Sequence, residues 1–199
     1  MVELRKEINV LVVSDMMANF IFGSKKTLNN INFIFEHADL DNFEQSILSG
    51  LNYDYVIMHI SPFAFNYTLG SSEISDRVKN IFNILSSTAV STNCKFVVNT
   101  IALLREAVTQ EQIISNHRLE VVINDEILNF CKDNNQSAVL CDLKTYFNRV
   151  GHDRLRLKSY DLLRNPYSRR DCQDMSQRYL EIIDSDLSAR KKVIFVDAD

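Results

Sequence analysis

Apolar residues along the chain fall into short continuous runs, and the stretches between them carry helical spacing. Ile8–Val13, Ile31–Phe35, Tyr55–Ile60, Lys95–Thr100 and Ala138–Cys141 are runs of four to six residues rich in β-branched and aromatic side chains. Strands of a parallel sheet, covered on both faces, have this pattern. Between them, Met16–Leu28 reads as beginning helical and Leu40–Leu48 as a short helix. Ser71–Ser87 places Ile74, Val78, Ile81, Phe82 and Leu85 at the spacing of an amphipathic helix. Glu111–Asn134 is the longest helical stretch, with Ile113, Ile114, Leu119, Val122, Ile123, Ile127, Leu128 and Phe130 read as its apolar face. Asp142 is placed to cap a helix over Leu143–Val150 that Gly151 stops. Leu155–Tyr167 is irregular and broken by Pro166, and Asp171–Ala189 is a last helix before the apolar run Val193–Val196. The alternation predicts an α/β, flavodoxin-like three-layer domain on a mostly parallel five-stranded sheet. The sixth run either extends that sheet or opens another domain.

Composition narrows the class. A chain of 199 residues with 46% hydrophobic and 24% charged residues suits one ordinary globular domain, and four Gly and two Pro leave little room for linkers. Residues 1–143 hold 10 Lys/Arg against 17 Asp/Glu, and residues 144–199 hold 12 against 9. No basic block speaks for nucleic acid, and no run is long enough to span a membrane. Cys94, Cys131, Cys141 and Cys172 are scattered without metal-site or redox spacing, the usage of a reducing compartment, so a cytoplasmic location is expected. His37, His59, His117 and His152 form no metal-ligand pair by spacing, and the isolated glycines form no phosphate loop.

Two stretches are candidates for chemistry. The first is Lys191–Asp199, KKVIFVDAD, in which an apolar strand runs into Asp197 and Asp199. Carboxylates beyond the carboxyl end of a buried strand suit Mg²⁺, and one can attack phosphorus while the other moves a proton. The second is the end of the first strand, Ser14-Asp15-Met16. Ser14 and Asp15 fit a helix N-cap, and Ser14 also fits a nucleophile. His59, ending the third strand, is the histidine nearest such a site in kind, although a core histidine explains it as well.

Strand-Asp-x-Asp resembles motif I of the haloacid dehalogenase (HAD) superfamily. By that resemblance Asp197 is the nucleophile and a metal ligand, and Asp199 is the general acid/base that also contacts the metal. The strand ending Ser14-Asp15-Met16 is similar to block I of SGNH hydrolases, Gly-Asp-Ser, with Met16 in the place of the nucleophile. The oxyanion Asn of that family is absent after His59-Ile60-Ser61-Pro62, and the expected Asp-x-x-His is replaced by residues 159–164, SYDLLR.

The order of the last third, Cys141-Asp142-Leu143, then Phe147–Gly151, then Pro166-Tyr167-Ser168, then a helix into Asp197-Ala198-Asp199, resembles FkbH-like proteins, HAD subfamily IIIC. The resemblance implies an SGNH-like N-terminal domain over residues 1–190 and the first strand of a truncated HAD catalytic domain over 191–199. It implies a Mg²⁺-dependent phosphatase or phosphoryl/glyceryl transferase, a phosphorylated small-molecule substrate and an acyl carrier protein as partner. Two other readings stand beside it. One is a non-catalytic docking domain that meets an acidic carrier through Arg154, Arg156, Lys158, Arg164, Arg169 and Arg170. The other is a divergent SGNH-type esterase or acyltransferase with Ser14 as nucleophile.

Overall fold

β1 (Lys6–Ser14) lies inside the sheet, hydrogen-bonded on one side to β3 (Ile31–Asp39) and on the other to β4 (Tyr55–His59), both parallel to it. In this computed structural model, residues 6–48, 53–61, 63, 71–91, 93–102, 109–150 and 165–189 are described. The sheet among them has six strands in the order β2-β3-β1-β4-β5-β6, with β2 at Lys25–Leu28, β5 at Lys95–Asn99 and β6 at Ala138–Cys141. The five parallel strands therefore follow the flavodoxin-type order, in which the winding direction reverses between β1 and β4. All five apolar runs described here became those strands.

The sixth strand is the departure from expectation. Met16–Leu28 is helical only over α1 (Asn19–Phe22). Gly23, at φ 67° in the left-handed region, ends that helix, and Lys25–Leu28 then forms β2, antiparallel to β3. Asn29 and Asn30 make the turn with φ of 48° and 64°. Positive φ at both central residues gives a hairpin turn whose twist matches the strands, and Asn tolerates that region.

Two apolar layers follow from strand alternation. Ile8, Val10 and Val12 of β1 face one side, where α1, α5 (Leu143–Val150) and α6 (Arg169–Ala189) cover them with Phe22, Tyr146 and Tyr179. Leu11 and Val13 face the other side, under α3 (Ser71–Ser91) and α4 (Gln110–Asp133). Between β3 and β4 a 3-10 turn at Leu40–Asn42 runs into α2 (Phe43–Leu48). α4 opens on a reciprocal cap in which Thr109 Oγ1 accepts from Gln112 N and Gln112 Oε1 accepts from Thr109 N.

The apolar face read for α4 divides in two. Leu119, Ile123, Ile127 and Phe130 are buried, whereas Ile113, Ile114, Val122 and Leu128 are exposed, as is Val121, which was not read into that face. No helix among the described residues is long and apolar enough to cross a membrane.

Candidate functional site

The reversal between β1 and β4 brings their carboxyl ends side by side, with Ser14 in register with His59. Crevices of this kind are where open α/β sheets hold ligands. Here the chain's own side chains occupy the position. Asp15 spans the gap: its Oδ1 accepts from Ser61 N at 2.8 Å and its Oδ2 from Ser61 Oγ at 2.5 Å. Burial raises the Asp15 pKa, against the lowering effect of the two Ser61 hydrogen bonds. Ser61 Oγ also accepts from Phe63 N at 3.1 Å, and Ser14 Oγ accepts from Met16 N at 3.2 Å. Ser14 thus closes a turn two residues on rather than capping α1, whose N-cap is Ala18 without a side-chain hydrogen bond. Met16, in the nucleophile place of block I, is buried in the core.

His59 is fully buried on the α6 side of the sheet. Its Nδ1 lies 2.9 Å from the Tyr179 hydroxyl, and its Nε2 has no hydrogen-bond partner among the described residues. Tyr167 and Tyr179 both meet its ring edge-on. With no carboxylate bonded to it, burial alone acts on the imidazole and pushes its pKa down to about 3. The neutral ring is hydrogen-bonded to Tyr179 and to neither Ser14 nor Ser61. His37 Nε2 lies 2.9 Å from Gly23 O, His117 is exposed on α4, and His152 lies outside the described residues.

Two buried asparagines hold the loops at this edge. Asn99 Oδ1 accepts from Ile60 N at 2.8 Å, and its Nδ2 donates to Ile60 O at 2.9 Å. This reciprocal pair continues the pairing of β4 with β5 by a side chain. Asn124 of α4 does the same for Ile101, with N–H and carbonyl bonds of 2.9 Å each. Beyond β6, Asp142 Oδ1 accepts from Thr100 Oγ1 and from Thr145 N, which confirms the predicted cap of α5. Burial raises the Asp142 pKa, but these bonds and the Arg178 charge outweigh it and leave it lowered. Burial likewise pushes the neighbouring Cys141 thiol up to about 12, so it is no nucleophile at neutral pH.

The Pro166-Tyr167-Ser168 segment has a structural part in this site. Tyr167 stacks on Phe147 at 5.6 Å between centroids and meets His59, while Ser168 Oγ accepts from Asp171 N to cap α6. α6 then holds Tyr179 against His59, which sequence separation of 120 residues concealed. Asn99, Ser61 and Tyr179 were not singled out from the sequence. The available signal for Asn99 was a polar residue ending an apolar run, and for Asn124 a polar residue beside the buried stripe of a helix.

Of the predicted site residues, Ser14, Asp15 and His59 stand together at the β1/β4 edge. Asp197 and Asp199, and with them the proposed domain boundary at 190, lie outside the described residues. Among the described residues no group of three His, Cys, Asp or Glu side chains could hold a metal ion, so no Mg²⁺ chemistry is assigned to them.

No protein-family profile matches the chain, and no curated protein sequence is similar to it. Solved structures do share its fold. The N-terminal part of the Bacteroides fragilis protein BF1531, which contains a phosphatase domain and was crystallised with Mg, is 14% identical with a TM-score of 0.76. That match covers 92% of this chain and 53% of the other, so the chain spans about half the length of that structure. A Slackia heliotrinireducens protein described as an SGNH hydrolase is 12% identical, with a TM-score of 0.59 over 89% of this chain and all of the other. The acetylxylan esterase Axe2 of Geobacillus stearothermophilus is 10% identical, with a TM-score of 0.56 over 90% of this chain and 96% of the other. At such identities the fold is what is shared, and it is the SGNH-like α/β fold.

Proposed function

We propose that this chain provides the SGNH-like N-terminal domain of an FkbH-like protein of the HAD superfamily. The chemistry is that of a Mg²⁺-dependent phosphatase or phosphoryl/glyceryl transferase acting on a phosphorylated small molecule. The observation that supports this reading is the BF1531 fragment, which is described as containing a phosphatase domain and of which about half has this fold. The Asp-x-Asp sequence at 197–199 agrees with it. In this reading Asp197 is the nucleophile and a metal ligand, and Asp199 is the acid/base. Mg²⁺ bound there would neutralise phosphate charge and orient the group for attack.

The SGNH-like domain itself has a non-hydrolytic role in this proposal. Met16 offers no hydroxyl, the Ser14 and Ser61 hydroxyls are engaged in turns, and no described histidine is bonded to either. The domain would position a carrier-borne substrate for the phosphatase-type site. Arg169 and Arg170, exposed at the start of α6, are available to an acidic acyl carrier protein.

The test is turnover of an aryl phosphate with Mg²⁺ by the product of the complete open reading frame. Turnover lost in Asp197→Asn is expected; no turnover, or turnover indifferent to that substitution, overturns the proposal. A serine-directed phosphonate probe applied to the same protein should leave Ser14 unlabelled. Labelling of Ser14 would favour the esterase reading instead.

A further inference from the structure

We infer that the outer face of α4 is a self-association surface, on which a second copy of this chain seats its own α4 antiparallel about a two-fold axis near Val121 and Val122. Ile114, Val121 and Leu128 recur every seven residues on the face opposite the buried Leu119, Ile123 and Ile127, and they are 44%, 40% and 45% exposed. Scattered exposed apolar residues are ordinary, but an ordered stripe along one helix is the pattern of a helix–helix seam. Val122, 36% exposed, lies on the far side of the Arg118–Asp125 row, where a groove of about 730 Å³ is lined by Ile114, Arg118 and Val122 among others.

Charge complementarity selects the occupant. Glu111, Arg118, Asp125 and Lys132 also recur every seven residues, flanking the apolar stripe, and all four are exposed without an ion pair to another described residue. Their signs alternate along the helix. When a second α4 is laid antiparallel with its centre between Val121 and Val122, Glu111 faces Lys132 and Arg118 faces Asp125, each pair occurring twice. Ile114 meets the region of Leu128 in the same register. Laid parallel, the same helices would carry the two rows to opposite sides of the seam, and these pairs would not form. A two-fold interface must be self-complementary in this way, and flanking charges set helix orientation. One seam along a helix about 36 Å long offers less than the ~1,600 Å² of a standard interface. Association is therefore weak and concentration-dependent.

The test is sedimentation equilibrium of the 199-residue chain up to millimolar concentration, with variants checked for folding by circular dichroism. A monomer–dimer equilibrium that Val121→Asp abolishes is expected. Arg118→Glu and Asp125→Arg should each weaken dimerisation about tenfold, because each puts like charges together at two symmetric places. The double variant Arg118→Glu/Asp125→Arg should return it to near the original strength. A chain monomeric throughout overturns the inference and leaves the stripe to a different partner. A dimer indifferent to Val121→Asp, or single charge reversals without loss and recovery, overturns it as well.

Discussion

The two faces of the sheet are covered by helices of similar length held in different ways. On one face α6 is tied down by directional polar bonds along its whole course. Tyr146 hydroxyl donates to Asp171 and Asp174 near its start, Lys26 Nζ donates to Ser176, and Tyr179 meets His59. Towards its end Asn29 donates to Asp184, while Tyr55 hydroxyl and Lys95 Nζ converge on Asp186 at 2.6 and 2.5 Å. On the other face α4 is seated by apolar contact, with Asn124 holding the Ile101 loop and the Lys144–Glu120 ion pair at 2.7 Å. Shape alone tolerates small shifts of a helix, whereas a set of buried polar pairs admits one placement. The helix with the polar ties is the one that brings Tyr179 to the carboxyl edge of β4.

Removing one contact on each face separates the two kinds of hold. Asp186→Ala leaves the Lys95 ammonium, 18% exposed, without its partner and should cost about 3 kcal/mol in urea unfolding. Ile123→Ala on α4 should cost a similar ~3 kcal/mol by leaving a cavity. The two differ in rescue: adding Lys95→Met to Asp186→Ala removes the stranded ammonium and should recover part of the loss, whereas removing a polar partner does nothing for the cavity at Ile123. A double variant no more stable than Asp186→Ala would erase the distinction between the faces.

A smaller effect comes from His59. Its pKa is held at about 3 in the fold against 6.5 ordinarily, so below about pH 6.5 the unfolded chain takes a proton that the native state refuses. Its contribution is fully present above that pH and is lost as pH falls towards 3, by up to ~1.4 kcal/mol per pH unit. His59→Leu should flatten this part of the stability–pH curve, as denaturant midpoints measured between pH 7 and 4 would reveal. The smallest effect is expected from Thr109→Ala, about 1 kcal/mol through loss of the α4 cap, with no change at the β1/β4 edge.

What was legible in the sequence follows from what each element depends on. The five parallel strands are buried on both faces, so continuous runs such as Tyr55–Ile60 announced them. β2 is four residues at the sheet edge, and Lys25-Lys26-Thr27-Leu28 carries no such run; its clue was the Asn29-Asn30 turn. In α4 the summed apolar content hid two stripes, because Leu119, Ile123 and Ile127 face the core while Ile114 and Leu128 face outwards. Strand ends placed Ser14, Asp15 and His59 as candidates, and the winding order brought them together. Their partners were out of reach: Asp15 binds Ser61 and His59 meets Tyr179 through contacts 46 and 120 residues apart, and no local pattern encodes such pairings.

Lys26 has a consequence for how copies of this chain can meet. It lies on the edge strand β2, yet its side chain turns inward, where Nζ donates to Ile21 O at 3.0 Å and to Ser176. Burial lowers its pKa. A strand added to β2 would bury this ammonium further and strip water from its remaining proton. Inward-pointing charges on edge strands guard against such templated growth. Crowded or heated samples should thus resist conversion to fibrils that start from this edge, and replacing Lys26 by an apolar residue would remove the guard.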